Sequence, residues 1–152
     1  VETTGCGSWD SLYEICRKTD LIYYDIKLLD SELHRKFTGM SNDVILRNLR
    51  RLSENREAVG EIVVRIPCIP GINDHKEQIE QTARFVSELK LSFLELLPYN
   101  EAAGAKYMWL FQDYSLQKLH TRKKEYYEEL QKYVSQFGLL PYGLGHGRRK
   151  EK

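Results

Sequence analysis

An acid and a base stand two residues apart inside an apolar run, DLIYYDIKLLD, from Asp20 to Asp30. Successive strand side chains point to opposite faces. Asp25 and Lys27 therefore share a face with Tyr23, and Ile22, Tyr24, Ile26 and Leu28 take the other. Burying an unpaired charge costs several kcal/mol, on the order of what a whole domain has to spare. Such a pair is either a local salt bridge or part of a site that grips a charged ligand. Other strand-like runs carry the same mark. Arg65 closes EIVVR with Glu61 and Val63 on its face, Glu2 and Thr3 end the opening VETT, and Asn100 lies just past LELLPY. Polar groups at the carboxyl ends of four expected strands point to a shared site.

The elements that must position these residues alternate. SWDSLYEICRK sets Trp9, Leu12, Tyr13 and Cys16 at helical spacing, with Ser8 as its cap. After the DLIYYDIKLL strand, SELHRKF predicts a short helical turn pairing Leu33 with Phe37. NDVILRNLRRLSE aligns Ile45, Leu49 and Leu52, with Ser41 or Asn42 as cap. EIVVRIPCI is a β-branched strand stopped by Pro67 and Pro70. Asp74 and Glu77 read as a capping box for a helix carrying Ile79, Ala83, Val86 and Leu89. SFLELLPY is the next strand. A long loop then leads to a final amphipathic helix with Leu116, Leu119, Tyr126, Leu130, Val134 and Phe137. This order predicts an α/β domain over residues 1–143 with about four parallel strands, and a loose charged tail over 144–152. An open doubly wound sheet and a slice of a β/α barrel both fit, and both put functional groups at the strands' carboxyl ends.

Composition narrows the classes. The chain has 152 residues and a net charge of +1, which gives no footprint for nucleic acid. No apolar run reaches the roughly 20 residues of a membrane helix, so a cytoplasmic protein without membrane association is expected. Three scattered cysteines, Cys6, Cys16 and Cys68, form neither a disulfide framework nor a zinc motif and read as reduced thiols. The opening VETTG, without an initiator methionine, reads as the start of a piece of a longer protein.

The ordered set VETTG, LIYYDIK, FTGMSNDVILRNLRRL, VRIPCIPGINDH and LELLPYNEAAGAKY resembles the C-terminal half of a glycyl-radical-enzyme activating protein. The likeness is to the pyruvate formate-lyase activating type, within the radical S-adenosylmethionine (SAM) superfamily. The resemblance implies the C-terminal part of a partial (β/α) barrel of radical SAM type. It also implies a [4Fe-4S] cluster that binds SAM, whose reductive cleavage yields a 5'-deoxyadenosyl radical able to take a hydrogen from a glycine of a partner enzyme. By motif, Glu2 and Thr3 stand beside the methionyl part of SAM, and Asp25 and Lys27 match a D-x-K. Lys27 then holds the SAM carboxylate, while Asp25 faces the amino group or, with Glu2, a monovalent cation. Arg65 matches a basic residue near the same ligand. Asn100 falls where that relative has a histidine, which leaves it a hydrogen-bonding role. The implied partners are a glycyl radical enzyme and an electron donor such as flavodoxin or ferredoxin.

One departure limits what the chain can do. The C-x-x-x-C-x-x-C signature that supplies three thiolates to the cluster is absent from these residues, as is the Gly-Gly-Glu stretch. The cysteine spacings of 10 and 52 do not replace it. The chain alone is therefore expected to hold no cluster, to be inactive by itself, and to self-associate through the sheet edge or barrel interior that a preceding half would cover. The alternative is a free-standing α/β module that binds a small zwitterionic or anionic ligand without catalysis. His34, His75, His120 and His146 are isolated and expected at the surface. In the long loop, Tyr107, Trp109 and Phe111 are core by default and are also candidates for docking the partner enzyme.

Overall fold

The computed structural model describes residues 1–103, 109, 116 and 119–142. Its sheet has the order β1 (Glu2–Thr3), β2 (Leu21–Asp25), β3 (Glu61–Pro67) and β4 (Phe93–Leu97), every neighbouring pair parallel. Between the strands run α1 (Trp9–Cys16), α2 (Ser31–Thr38), α3 (Asp43–Glu54) and α4 (Lys76–Glu88). A short 3-10 turn at Glu101–Ala103 follows β4, and α5 (Lys124–Ser135) comes last. Beyond α5, Leu140 extends the sheet by a single parallel bridge to Phe93, donating to the Ser92 carbonyl at 2.9 Å and accepting from Leu94 N–H at 3.1 Å.

The period-2 pattern of each strand sends one ladder toward the helices. Ile22, Tyr24 and Ile26 join Ile62, Val64, Ile66, Leu94 and Leu96 in one core with side chains of the helices. The helical faces that meet them are Leu12 and Cys16, then Ile45, Leu49 and Leu52, then Ile79, Ala83 and Val86, and finally Tyr127, Leu130 and Val134. Each buried Leu, Ile or Val among them contributes about 1.5–3 kcal/mol on leaving water. Tyr24 is fully buried, and its hydroxyl donates to the Ile45 carbonyl at 2.7 Å. Burial drives that phenol well above its ordinary pKa. Gly5 makes room for it. A Cβ there would stand 1.7 Å from the Tyr24 oxygen, and its φ of +67° lies where side chains are disfavoured.

Ser8 caps α1 as expected, accepting from Ser11 N–H at 3.3 Å. Three local expectations give way in the folded chain. Asp74 is not a helix cap: α4 begins after His75, and the Asp74 carboxylate, fully buried, accepts from Gly71 N–H and Arg122 at 2.8 Å each. His34 is not at the surface. It is 3% exposed, with Nδ1 bonded to the Met40 carbonyl and the Thr38 hydroxyl, so α2 turns this ridge inward. Phe37 is left 46% exposed. The last helix starts at Lys124, so Leu119 precedes it and Phe137 follows it, packed against the core from the turn. Tyr107, Phe111 and the 144–152 tail fall outside the described residues. Trp109 is 80% exposed rather than core.

Candidate functional site

The other face of the sheet carries the polar residues. Register sets its side chains in rows across the strands: Tyr23, Val63 and Phe93 level with one another, then Asp25, Arg65 and Glu95. Val63 and Phe93 are buried. Tyr142 lies edge-on to both Tyr23, with ring centroids 6.2 Å apart, and Phe93, at 5.1 Å. The polar row therefore stands on an apolar floor, nearer the strands' carboxyl ends.

Arg65 organises that row. Its Nε and Nη2 both reach Asp25 Oδ1, at 2.9 and 2.8 Å, and its Nη1 reaches Glu2 Oε1 at 2.7 Å. The guanidinium also lies 4.7 Å from the Tyr23 ring centroid, a cation–π contact from below. Only 11% of the Arg65 side chain is exposed, against 21% for Asp25 and 67% for Glu2. The hydrogen bond from Arg65 holds the Glu2 carboxyl below its usual range, and the same bond raises Arg65 further. Asp25 is thus neutralised across strands rather than by Lys27, as its position on β2 had suggested. Lys27 lies two residues past the end of β2 and forms no ion pair among the described residues. It borders a cavity of about 200 Å³ shared with Asp30, Leu33, Gln78 and Thr82.

Buried amides hold the loops that carry these groups. Asn73 Nδ2 donates to the Lys27 carbonyl at 2.7 Å and to the Pro67 carbonyl at 3.0 Å, tying the end of β2 to the end of β3. Asn42 Nδ2 donates to Leu28 and Leu29 carbonyls at 2.8 Å each. Asn48 does the same for Gly5 and Gly7 in the loop after β1. All three side chains are buried, and sequence reasoning passed over them as site-forming residues. Their signal was a polar amide inside an otherwise apolar helix face or turn, as in RNL and IND.

The structure brings together Glu2, Asp25 and Arg65, with Lys27 close by in sequence. Thr3 uses its hydroxyl locally, accepting from Gly5 N–H at 2.9 Å. Asn100 is exposed and accepts from Ala102 N–H at 3.0 Å, capping the 3-10 turn rather than joining the row. Glu95 was not anticipated. It is half-buried, and burial pushes its carboxyl upward while the Tyr142 N–H it accepts pulls the other way.

SAM fits this donor set. Both Arg65 contacts fall on Oδ1 of Asp25, which leaves Oδ2 to accept from an amino group, and Lys27 has an ammonium to offer a carboxylate. A [4Fe-4S] cluster does not fit. Cys16 and Cys68 are buried, and burial pushes the Cys68 thiol to about 12. That leaves Cys6 exposed, and the described residues hold no group of three or more His, Cys, Asp or Glu able to bind a metal.

Sequence comparison joins this geometry to known proteins. The chain is 42% identical over 110 residues to the isethionate sulfite-lyase activating enzyme of Oleidesulfovibrio alaskensis, covering 72% of this chain and 35% of that one. It is 33% identical over 146 residues to the 4-hydroxyphenylacetate decarboxylase activating enzyme of Clostridioides difficile, covering 96% and 46%. A crystallised domain of pyruvate-formate lyase-activating enzyme from Bacteroides vulgatus superposes with a TM-score of 0.72 at 26% identity, over 93% of this chain and 77% of that one. A radical SAM methyltransferase from Sphaerobacter thermophilus shares the fold at a TM-score of 0.63 and 14% identity, over 93% of this chain and 38% of that one. No protein-family model matches the chain.

The fold is that of the radical SAM enzymes. Within it, the chain is a relative of the glycyl-radical-enzyme activating enzymes, and it spans less than half the length of the two curated relatives just described. SAM and a [4Fe-4S] cluster are the cofactors that such membership implies.

Proposed function

We propose that this chain supplies the SAM-holding, partner-facing half of an activase that generates a glycyl radical on a partner enzyme. The observation that carries this reading is the Asp25–Arg65–Glu2 cluster, set at the strands' carboxyl ends with Lys27 just beyond it. Arg65 holds Asp25 in one orientation, so its free oxygen is aimed before a ligand arrives, and pre-orientation lowers the cost of binding. Lys27, its backbone fixed by Asn73, complements the ligand carboxylate. Glu2 stands near enough to share a monovalent cation with Asp25 once Arg65 yields its Nη1. When bound, SAM supplies the one-electron chemistry that the protein side chains lack.

The cluster needs thiolates that these 152 residues do not offer, so the chain alone holds none and is inactive alone. Electrons reach the complete activase from a flavodoxin or ferredoxin. Trp109, 80% exposed, contributes to the surface that meets the glycyl radical enzyme. The three unpaired thiols suit a reducing cytoplasm. No helix among the described residues is long and apolar enough to cross a membrane. β1 lies at the edge of the sheet, and its unpaired backbone groups favour self-association, read by light scattering at micromolar concentration.

Titration calorimetry of the complete activase with SAM tests the site. Lys27→Ala and Asp25→Ala are expected to weaken binding by about 1.5 kcal/mol each, as for charge-assisted hydrogen bonds. His75→Ala, at an exposed position, is the control with no expected change. Unchanged affinity in Lys27→Ala defeats the assignment. Anaerobic reconstitution with iron and sulfide is expected to leave no stoichiometric cluster, and a clean [4Fe-4S] spectrum with about four irons per chain overturns the claim that this half lacks its ligands.

A further inference from the structure

The segment leading into α5 is tied to the turns that follow both β3 and β4. Thr121 N–H donates to Glu101 Oε1 at 2.9 Å, in the 3-10 turn after β4. One residue on, Arg122 Nε donates to Asp74 Oδ2 at 2.8 Å, in the turn after β3. The Arg122 guanidinium also lies 5.6 Å from the Tyr126 ring centroid, and the Tyr126 hydroxyl donates to the Asp74 carbonyl at 2.8 Å. Arg122 and Tyr126 thus grip Asp74 by its side chain and by its backbone. Within the turn itself, the other carboxylate oxygen of Asp74 accepts from Gly71 N–H.

Stability alone does not explain this pair. The Asp74 side chain is 0% exposed and that of Arg122 is 44% exposed, so one charge is fully desolvated and its partner is not. Pairing repays such desolvation only in part, and apolar residues of similar volume often pack as well or better. What an ionic clamp adds is direction, because a charge-assisted hydrogen bond fixes where both groups stand. Asn73 is the next residue along, and its amide nitrogen holds the Lys27 carbonyl at 2.7 Å and the Pro67 carbonyl at 3.0 Å. A line of contacts therefore runs from Arg122 through Asp74 and Asn73 to Lys27. We propose that Arg122 is a positioning residue: by holding Asp74 it fixes the 69–74 turn, and through Asn73 it aims Lys27 at the SAM carboxylate. The inference rests on the SAM reading of the site and extends it to a side chain that touches no ligand.

Titration calorimetry of the complete activase tests this with SAM and with 5'-methylthioadenosine, which lacks the amino-acid end. Arg122→Ala is expected to weaken SAM about fivefold, less than the roughly tenfold loss expected for Lys27→Ala, and to leave methylthioadenosine unchanged. In a Lys27→Ala background the same change is expected to bring no further loss, because the group it aims is gone. A merely structural role would not produce that coupling. Arg122→Ala also leaves the buried Asp74 carboxylate without its cation, so Asp74→Asn combined with Arg122→Met serves as a second variant. It removes both charges, keeps an acceptor for Gly71 N–H, and is expected to show the same loss for SAM alone. Arg122→Lys, which keeps the cation, is expected to bind SAM as wild type does. Losses that multiply with Lys27→Ala, equal weakening of both ligands, or wild-type SAM affinity in the charge-free double variant each overturn the positioning role and leave the SAM site standing. Unchanged SAM affinity in Lys27→Ala alone defeats the SAM reading, and this inference with it.

Discussion

On the helix side of the sheet Tyr24 is fully buried, locked by a hydrogen bond to Ile45 and filling the space that Gly5 leaves. Its neighbours in sequence, Tyr23 and Asp25, point the other way, onto a face whose polar row is half-open and whose contacts run between charges. The same four strands thus serve two purposes through period-2 alternation alone. The helix-facing ladder supplies folding free energy through apolar burial, which tolerates no voids. The opposite ladder carries charges whose burial is offset only in part by pairing, and it contributes little net stability. What the contrast teaches is a division of labour within single strands: alternate residues hold the fold and present the ligand site.

The sharpest way to break that contrast is a pair of neighbouring truncations. Tyr24→Ala is expected to cost about 3–5 kcal/mol, as for large-to-small changes in a core. Tyr23→Ala, which removes a partly exposed ring beneath Arg65, is expected to cost about 1–2 kcal/mol. Urea denaturation of both variants checks this, and equal losses would mean that the open face is as structural as the helix face.

Much of this arrangement was legible from local pattern. The alternation through residues 21–28 put Ile22, Tyr24, Ile26 and Leu28 together on the face away from Asp25 and Lys27, and all four are buried. Ile45, Leu49 and Leu52, three to seven residues apart, were assigned to one helix face and share it. The partners of the charged residues were not legible, because a parallel register joins residues far apart in the chain. Arg65 lies 40 residues from Asp25 and 63 from Glu2. Nothing in DIK announces that its acid faces a distant arginine rather than the adjacent lysine. Asp74 failed for the same reason: a capping-box spacing is a local signal, and Arg122, 48 residues on, outcompetes it. His34 was missed because its partners are a backbone carbonyl and a threonine hydroxyl, which no metal or catalytic motif predicts.

A smaller effect is expected where the two faces are stitched together. Asn73 satisfies the Lys27 and Pro67 carbonyls with its amide nitrogen, and its oxygen accepts from Ile69 N–H at 2.6 Å. Asn73→Ala leaves these groups without partners, at about 1–3 kcal/mol. It is also expected to weaken SAM binding by loosening Lys27, although it touches no ligand. Loss of stability with SAM affinity intact would show that Lys27 is held by something else.

The smallest expected effect concerns pH and returns to the open face. Burial raises the Glu95 carboxyl above its ordinary 4.5, so the folded chain holds this proton more tightly than the unfolded chain does. Folding then binds protons in the window between 4.5 and the raised value. The stability slope with pH follows the protons bound by the unfolded state less those bound by the native state, and here that difference is negative. The contribution from Glu95 is therefore fully present below 4.5 and is lost as pH rises through the folded value. Glu2 has the opposite sign: Arg65 lowers its carboxyl, so its contribution is present above 4.5 and fades as pH falls through the lowered value. Glu95→Gln removes one of these opposed trends and keeps an acceptor for Tyr142 N–H. Urea midpoints measured from pH 4 to pH 7 are expected to fall less steeply with rising pH in Glu95→Gln than in wild type. Parallel curves would mean that the Glu95 carboxyl is as well solvated in the folded chain as in the unfolded one, and the open face would then offer a ligand no desolvated acceptor at that position.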